Sequence, residues 1–149
     1  MRIKQADLDE VLEVARLALV LWPYHSMHAI ALEISEMIQR KEGAYFLAYN
    51  ESEVIGFAQI NLIHSSVDEE NGVPVGYLKG IFVVEAYRQQ GIAKELLTAC
   101  EHWAIEQGCE ELTSDCELSN DQILNFHRSV GFEESNRIVC FRKSLKGEK

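Results

Sequence analysis

No apolar run in this 149-residue sequence is long enough to span a bilayer, so no membrane-crossing helix is expected and a membrane is not a predicted partner. Basic residues are scarce, with 14 Lys and Arg against 24 Asp and Glu, a net charge of −10. Nucleic acid is gripped through its phosphates by basic surface, so this balance argues against it as a partner. An acidic cleft instead attracts cationic small molecules, although the same excess also serves plain solubility. The four cysteines form no Cys-x-x-Cys pair, and no histidine cluster has metal-ligand spacing, so no metal is expected. With Cys100 on the apolar face of a helix and Cys116 in an expected strand, the cysteines read as buried, reduced thiols. Repeats, linkers and low-complexity segments are missing too. The first residues, Met1-Arg2-Ile3-Lys4-Gln5, are charged and already patterned rather than secretory, so a cytoplasmic location is expected.

What is present is ordinary globular material: 47% hydrophobic and 26% charged residues, enough for one domain, 1–149, around one core. Residues 1–5 read as a strand. Asp7 is placed to cap a helix with Leu8, Val11, Leu12, Ala15 and Leu19 at helical spacing, ended by Pro23. A second helix is predicted over 27–40, with Ile30, Ile34, Met37 and Ile38 on one face. The period then changes to two, giving strands at 44–49, 54–63 and 75–84, with a polar loop at 64–72 before the last of these. A helix over 91–107 follows, then a strand at 111–117. Ser119 and Gln122 signal a capping box for a helix over 120–130, and strands are predicted at 132–135 and 137–143. The order β-α-α-β-β-β-α-β-α-β-β predicts an α+β fold, a mixed and mostly antiparallel sheet flanked by about four helices.

The most informative stretch is Arg88-Gln89-Gln90-Gly91-Ile92-Ala93-Lys94, between the apolar run Gly80-Ile81-Phe82-Val83-Val84 and a helix start. A strand, a turn rich in N–H groups and a helix N-terminus point unpaired amides and a positive dipole end at one place, which suits a diphosphate. Gly91 allows close main-chain approach and Ala93 leaves room. Arg88 is open to two readings, a phosphate contact or a solvated turn residue.

This loop resembles the acetyl-coenzyme A loop of the GNAT N-acetyltransferases, and the likeness continues in Asn125-Phe126-His127-Arg128-Ser129-Val130-Gly131-Phe132. Within that superfamily, Leu21-Trp22-Pro23-Tyr24-His25, Leu78-Lys79-Gly80-Ile81-Phe82-Val83 and Ser114-Asp115 resemble segments of aminoglycoside 6′-N-acetyltransferases. The resemblance implies a GNAT fold and an enzyme with acetyl-coenzyme A as co-substrate and a cationic amine as acceptor, the favoured one being the 6′-amine of an aminoglycoside antibiotic. It implies direct attack in a ternary complex and a homodimer, to which the apolar segment Ile138-Val139-Cys140-Phe141 contributes.

The roles that follow by resemblance suit the chemistry. Residues Ile81, Phe82 and Val83 would hydrogen-bond the pantetheine arm through their main chain, provided that a bulge or splay exposes it. The loop residues Arg88, Gln89, Gln90, Gly91, Ile92, Ala93 and Lys94 would hold the diphosphate, and Asn120 the coenzyme arm or merely its own helix start. Asp115 would hold the acceptor ammonium and take its proton; its bland alternative is a helix-capping carboxylate. His127 is either a buried ring satisfied by a backbone group or the proton source for the leaving thiolate. Trp22 would stack on an aminosugar ring or simply plug the core, and His25 would line the acceptor pocket, with Ser66, Lys79 and Asn136 at further pocket positions; Lys79 either faces the pocket or points away to pair with a carboxylate. Enzymes of the subgroup tend to carry Glu at the positions of Lys79 and Asn136 and an aromatic near Ser66, so the acceptor pocket departs from the pattern. Asp68, Glu69, Glu70, Glu133 and Glu134 are the carboxylates available to compensate. Tyr77 and Phe82 read as core aromatics. Two other functions remain open: acetylation of another amine (a polyamine, a small metabolite or a protein N-terminus), and a non-catalytic acyl-coenzyme A-binding module.

Overall fold

The structure is a computed structural model that describes residues 1–64, 72–116 and 119–146. It comprises two compact units, Met1–Asp115 and Cys116–Lys149. Among the described residues the first holds five strands and three α-helices: β1 (Arg2–Gln5), α1 (Val11–Leu21), α2 (Met27–Arg40), β2 (Gly43–Asn50), β3 (Glu53–Ile63), β4 (Val75–Val83), α3 (Ile92–Glu106) and β5 (Leu112–Ser114). The second holds α4 (Asp121–Ser129). Among the described residues no helix is long and apolar enough to cross a membrane.

The strands lie in chain order, β1-β2-β3-β4-β5; the first three pairings are antiparallel and the last is parallel. Two layers cover the sheet. On one face Val14, Leu17 and Ala18 of α1 and Ile30 and Ile34 of α2 pack with Tyr45, Leu47 and Phe57 of β2 and β3. On the other, α3 buries Ile92, Leu96, Leu97, Cys100, Trp103 and Ala104. Six successive residues of β2, from Gly43 to Ala48, are therefore buried, as a strand covered on both faces requires. Asp7 starts the first helical stretch with a reciprocal capping box to Glu10.

The feature that positions the functional residues is a bulge in β4. Gln59 of β3 pairs with Gly80 and Ile60 with Leu78, leaving Lys79 as the extra residue. The bulge reverses the strand's alternation. Before it, a Cβ at Gly76 would meet Leu112 and Ala104, on the α3 side; after it, a Cβ at Gly80 would meet Trp22 and Leu21, on the α1 side. Tyr77, Lys79, Gly80 and Phe82 consequently share the α1 and α2 face.

The bulge also ends the neighbouring ladder. β5 pairs with β4 at Gly76, Tyr77 and Leu78 only, opposite Leu112, Thr113 and Ser114. The strand expected over 111–117 thus stops at Ser114, because β4 turns out of register at the next residue.

Three other expectations are corrected. Residues 132–146 contain no helix or strand. A strand needs a ladder partner, and here the polar residues bond locally instead: Glu134 pairs with Arg137 and Arg128, and Ser135 donates to Asn136. The cap of α4 is Asn120 rather than Ser119, its side chain accepting from the Ile123 amide at 3.2 Å. Cys100 and Cys109 are buried, but Cys116 and Cys140 are exposed, since both lie outside the packed elements.

Candidate active site

Among the described residues, the loop after β4 has a run of main-chain donors with no main-chain acceptor in hydrogen-bonding geometry. A short turn, Glu85–Tyr87, is closed by the Arg88 amide donating to the Glu85 carbonyl. The next main-chain donor with an acceptor among the described residues is Glu95, bonded to the Gly91 carbonyl at 3.1 Å. Six consecutive N–H groups, Gln89 to Lys94, are thus available. Gln89 and Gly91 are both left-handed, with φ of 64° and 81°. That alternation curls successive amides toward one point, the geometry of an anion-binding nest. Gly91 is the N-cap of α3, has no side-chain cap bond, and has no atom within 4 Å of where a Cβ would stand. The dipole of the 15-residue α3 adds a partial positive charge there. Lys94 is exposed in the first turn, while Ile92 is buried and anchors the helix.

Arg88 takes neither of its two expected roles alone. Its Nε donates to the Val83 carbonyl at 2.7 Å and its guanidinium lies 5.6 Å from the Phe82 ring centre. It clasps the loop to the end of β4, which leaves its other N–H groups for a ligand.

Beyond Leu78 no described strand pairs with β4 on the β5 side. The alternation of an antiparallel ladder shows which groups face that open edge. Val84 donates to the Ile55 carbonyl at 2.8 Å, so the groups of Phe82 are directed at Phe57 of β3, and those of Ile81 and Val83 point the other way. Ile81 and Val83 therefore supply the edge that a ligand could extend, with the Val83 carbonyl already taken by Arg88. Phe82 contributes its ring to the core beneath Trp22.

Asp115 follows directly on the last residue of β5, at the point where the two strands part. Its carboxylate accepts the Tyr77 hydroxyl, at 3.1 and 3.2 Å to its two oxygens. Burial, and then the charge of Asp115, raise the Tyr77 phenol above its ordinary value, so it remains a donor through the neutral range. Tyr77 is the functional candidate that sequence reasoning assigned to the core. Its position two residues before Lys79 on an alternating strand was the available signal.

Trp22, the C-cap of α1, is half-buried, edge-on to Phe57 at 6.3 Å, and rests on Gly80, where any Cβ would come within 2.7 Å of its ring. The Lys79 ammonium lies 5.3 Å from the Trp22 ring centre and 3.7 Å from a carboxylate oxygen of Glu33 on α2. His25 is exposed in the turn before α2. Ser66, Asp68, Glu69 and Glu70 lie outside the described residues.

In the second unit, His127 Nδ1 donates to the Ile123 carbonyl at 2.7 Å, and the ring packs against Phe126 and Phe132. A carbonyl only accepts, so Nδ1 carries a proton. Asn120 caps α4, and Asn136 is exposed.

The chain is similar over most of its length to known proteins. The family model described as "Acetyltransferase (GNAT) family" matches residues 9–132. An aminoglycoside N(6′)-acetyltransferase type 1 from Salmonella typhimurium is 37% identical over 123 residues, 83% of this chain and 85% of that protein. One of the same name from Stenotrophomonas maltophilia is 36% identical over 145 residues, 97% of this chain and 94% of that protein. Among solved structures, the aminoglycoside N-acetyltransferase AAC(6′)-Iy in complex with CoA has a TM-score of 0.87 at 34% identity, covering 95% of this chain and 93% of that one. The same enzyme with a bisubstrate analogue, CoA-S-monomethyl-acetylneamine, has a TM-score of 0.86 at 33% identity, covering 97% and 98%. With a family match over residues 9–132 and relatives 36–37% identical over most of the length, the chain belongs to the GNAT family of acetyltransferases.

Proposed function

We propose that this protein is an aminoglycoside 6′-N-acetyltransferase, which moves the acetyl group of acetyl-coenzyme A to the 6′-amine of an aminoglycoside. The observation that carries the coenzyme half is the run of six amides from Gln89 to Lys94 that, among the described residues, have no main-chain acceptor, beside a strand edge with no described partner. The acceptor half is supported by relatives of that name at 36–37% identity and by the acidic balance of the chain. Residues 1–149 act as one acetyltransferase domain, a reading supported by the family match at 9–132, which crosses the boundary after Asp115; the location proposed for it is the cytoplasm.

The diphosphate sits against the amides at Gln89–Lys94, and the pantetheine arm extends β4 by hydrogen bonds to Ile81 and Val83. This places the thioester where β4 and β5 part. Asp115, steadied by Tyr77, holds the incoming ammonium and accepts its proton directly or through a water. The neutral nitrogen attacks the carbonyl carbon, and the carbonyl electrons move onto oxygen. Collapse then breaks the C–S bond, and the second proton, lost from the attacking nitrogen as the amide forms, goes through solvent to the departing thiolate, which leaves as coenzyme A. Alignment of amine and thioester supplies much of the rate. A cysteine-linked acetyl intermediate is disfavoured at Cys100, whose thiol is fully buried and pushed up to about 12 by that burial. Acetylation removes one positive charge from the drug and so weakens its grip on RNA.

Incubation of the protein with acetyl-coenzyme A and kanamycin A, followed by NMR of the product, tests this. A 6′-N-acetyl product is expected. Turnover of spermidine or a peptide amine with none of kanamycin would refute the acceptor assignment, and uptake of coenzyme without any transfer would refute catalysis.

The protein is further proposed to act as a homodimer. Ile138, Val139 and Phe141 are 75%, 77% and 90% exposed in the single chain, a contiguous apolar run of the kind that partners cover. Light scattering should give twice the chain mass, and a Val139→Asp/Phe141→Asp variant the single-chain mass. A wild-type protein of single-chain mass at micromolar concentration would overturn it.

A further inference from the structure

A carboxylate beside an aromatic face is a site for an ammonium group: the carboxylate supplies charge and the ring its negative quadrupole. Glu33 and Trp22 form such a pair, and in this chain the ammonium between them is the protein's own. Lys79 Nζ lies 3.7 Å from Glu33 Oε1 and 5.3 Å from the Trp22 ring centre. We infer that Lys79 is a specificity-determining residue that fills, with an internal cation, a subsite where an ammonium of a polyamine acceptor would otherwise bind. The inference rests on the acceptor reading given above.

Three features make the placement specific. The bulge gives Lys79 no partner across β3 and aims it to the same face as Tyr77 and Gly80. The bare Cα of Gly80 lets the Trp22 ring lie against the strand directly beside Lys79. Tyr77, two residues away at about 3.3 Å per residue, holds Asp115, so the filled subsite adjoins the carboxylate that receives the acceptor. Lys79 remains about one-third exposed, so it is reachable from solvent and displaceable. Because it is tethered, a substrate ammonium competes against a high local concentration of this internal rival. The overall charge of −10 still draws polycations toward the protein, so the penalty is local. The enzyme should accordingly favour acceptors that present a hydroxyl to this subsite over those presenting an ammonium.

The test compares wild type with Lys79→Met, which keeps the length and removes the charge, and Lys79→Arg, which keeps the charge. The acceptor is neamine, and KM is measured at saturating acetyl-coenzyme A. Lys79→Met should lower KM for neamine about five-fold or more, the gain shrinking as salt rises. Lys79→Arg should stay near wild type, and adding Glu33→Gln to the Met variant should abolish the gain. A purely structural role for Lys79 predicts instead a lower thermal midpoint with neamine KM unchanged or raised. Turnover by both wild type and Lys79→Met with equal KM overturns this inference alone. No turnover of neamine by either protein overturns the acceptor reading, and this inference with it.

Discussion

Replacing Gly91 with valine should raise KM for acetyl-coenzyme A about a hundred-fold and remove the thermal stabilisation that coenzyme A gives the wild type. Two effects combine. The residue has φ of 81°, where a β-branched side chain is strained by on the order of 1–3 kcal/mol. The side chain would also enter the space over the amides of Gln89–Lys94, which holds no protein atom within 4 Å of the Cβ position. If the loop relaxes to relieve the strain, Gln89 and Gly91 lose the conformations that converge the amides, and the diphosphate loses its cradle. Gly91→Ala should fall between the two, since it adds strain but little bulk. Because the loop packs on nothing at this point, the fold should survive, and circular dichroism would confirm that the loss is one of binding. An unchanged KM in Gly91→Val would mean that the coenzyme is held elsewhere.

The second large effect is expected at Asp115. Asp115→Asn keeps an acceptor for the Tyr77 hydroxyl but removes the charge and the basicity, and should lower kcat/KM for the acceptor by about 10²–10³. Coenzyme A affinity should stay within about two-fold, because the carboxylate lies on the adjoining strand end rather than in the amide loop. Asp115 is exposed, so its replacement should alter stability by no more than about 0.5 kcal/mol. Tyr77→Phe should show the same direction at about ten-fold, through loss of the bond that orients the carboxylate. A kcat/KM near wild type in Asp115→Asn would leave Asp115 as a strand-end residue without a role in transfer.

The sequence showed the turn at the start of α3 more clearly than the surroundings of β4. A helix that starts immediately after a buried strand, with glycine at the junction, leaves few options: Gly91 adopts the left-handed conformation that glycine favours, and α3 begins one residue later. The paired layers were equally readable, because the apolar stripes of α1, α2 and α3 recur at helical spacing. A bulge or splay in β4 was expected with the resemblance, but its position at Lys79 was not readable. One extra residue in a ladder leaves no mark on composition, yet it changes which side chains meet. It puts Tyr77 with Asp115 and Lys79 with Trp22 and Glu33, contacts between residues tens of positions apart. The C-terminal strands were misjudged for a related reason. Alternation in 137–143 reports a segment suited to a sheet, but a strand exists only where a ladder partner is supplied, and 132–146 has none assigned among the described residues. The exposure of Cys116 follows from the early end of β5, itself a result of the bulge.

The central claim is that main-chain amides at the start of α3 bind the coenzyme. Isothermal titration of coenzyme A into wild type and Gly91→Val tests it without reference to any acceptor. The account predicts uptake of one coenzyme per chain by the wild type, with affinity weakened about a hundred-fold in the variant. No heat of binding in the folded wild type, or equal affinity in both proteins, would contradict it.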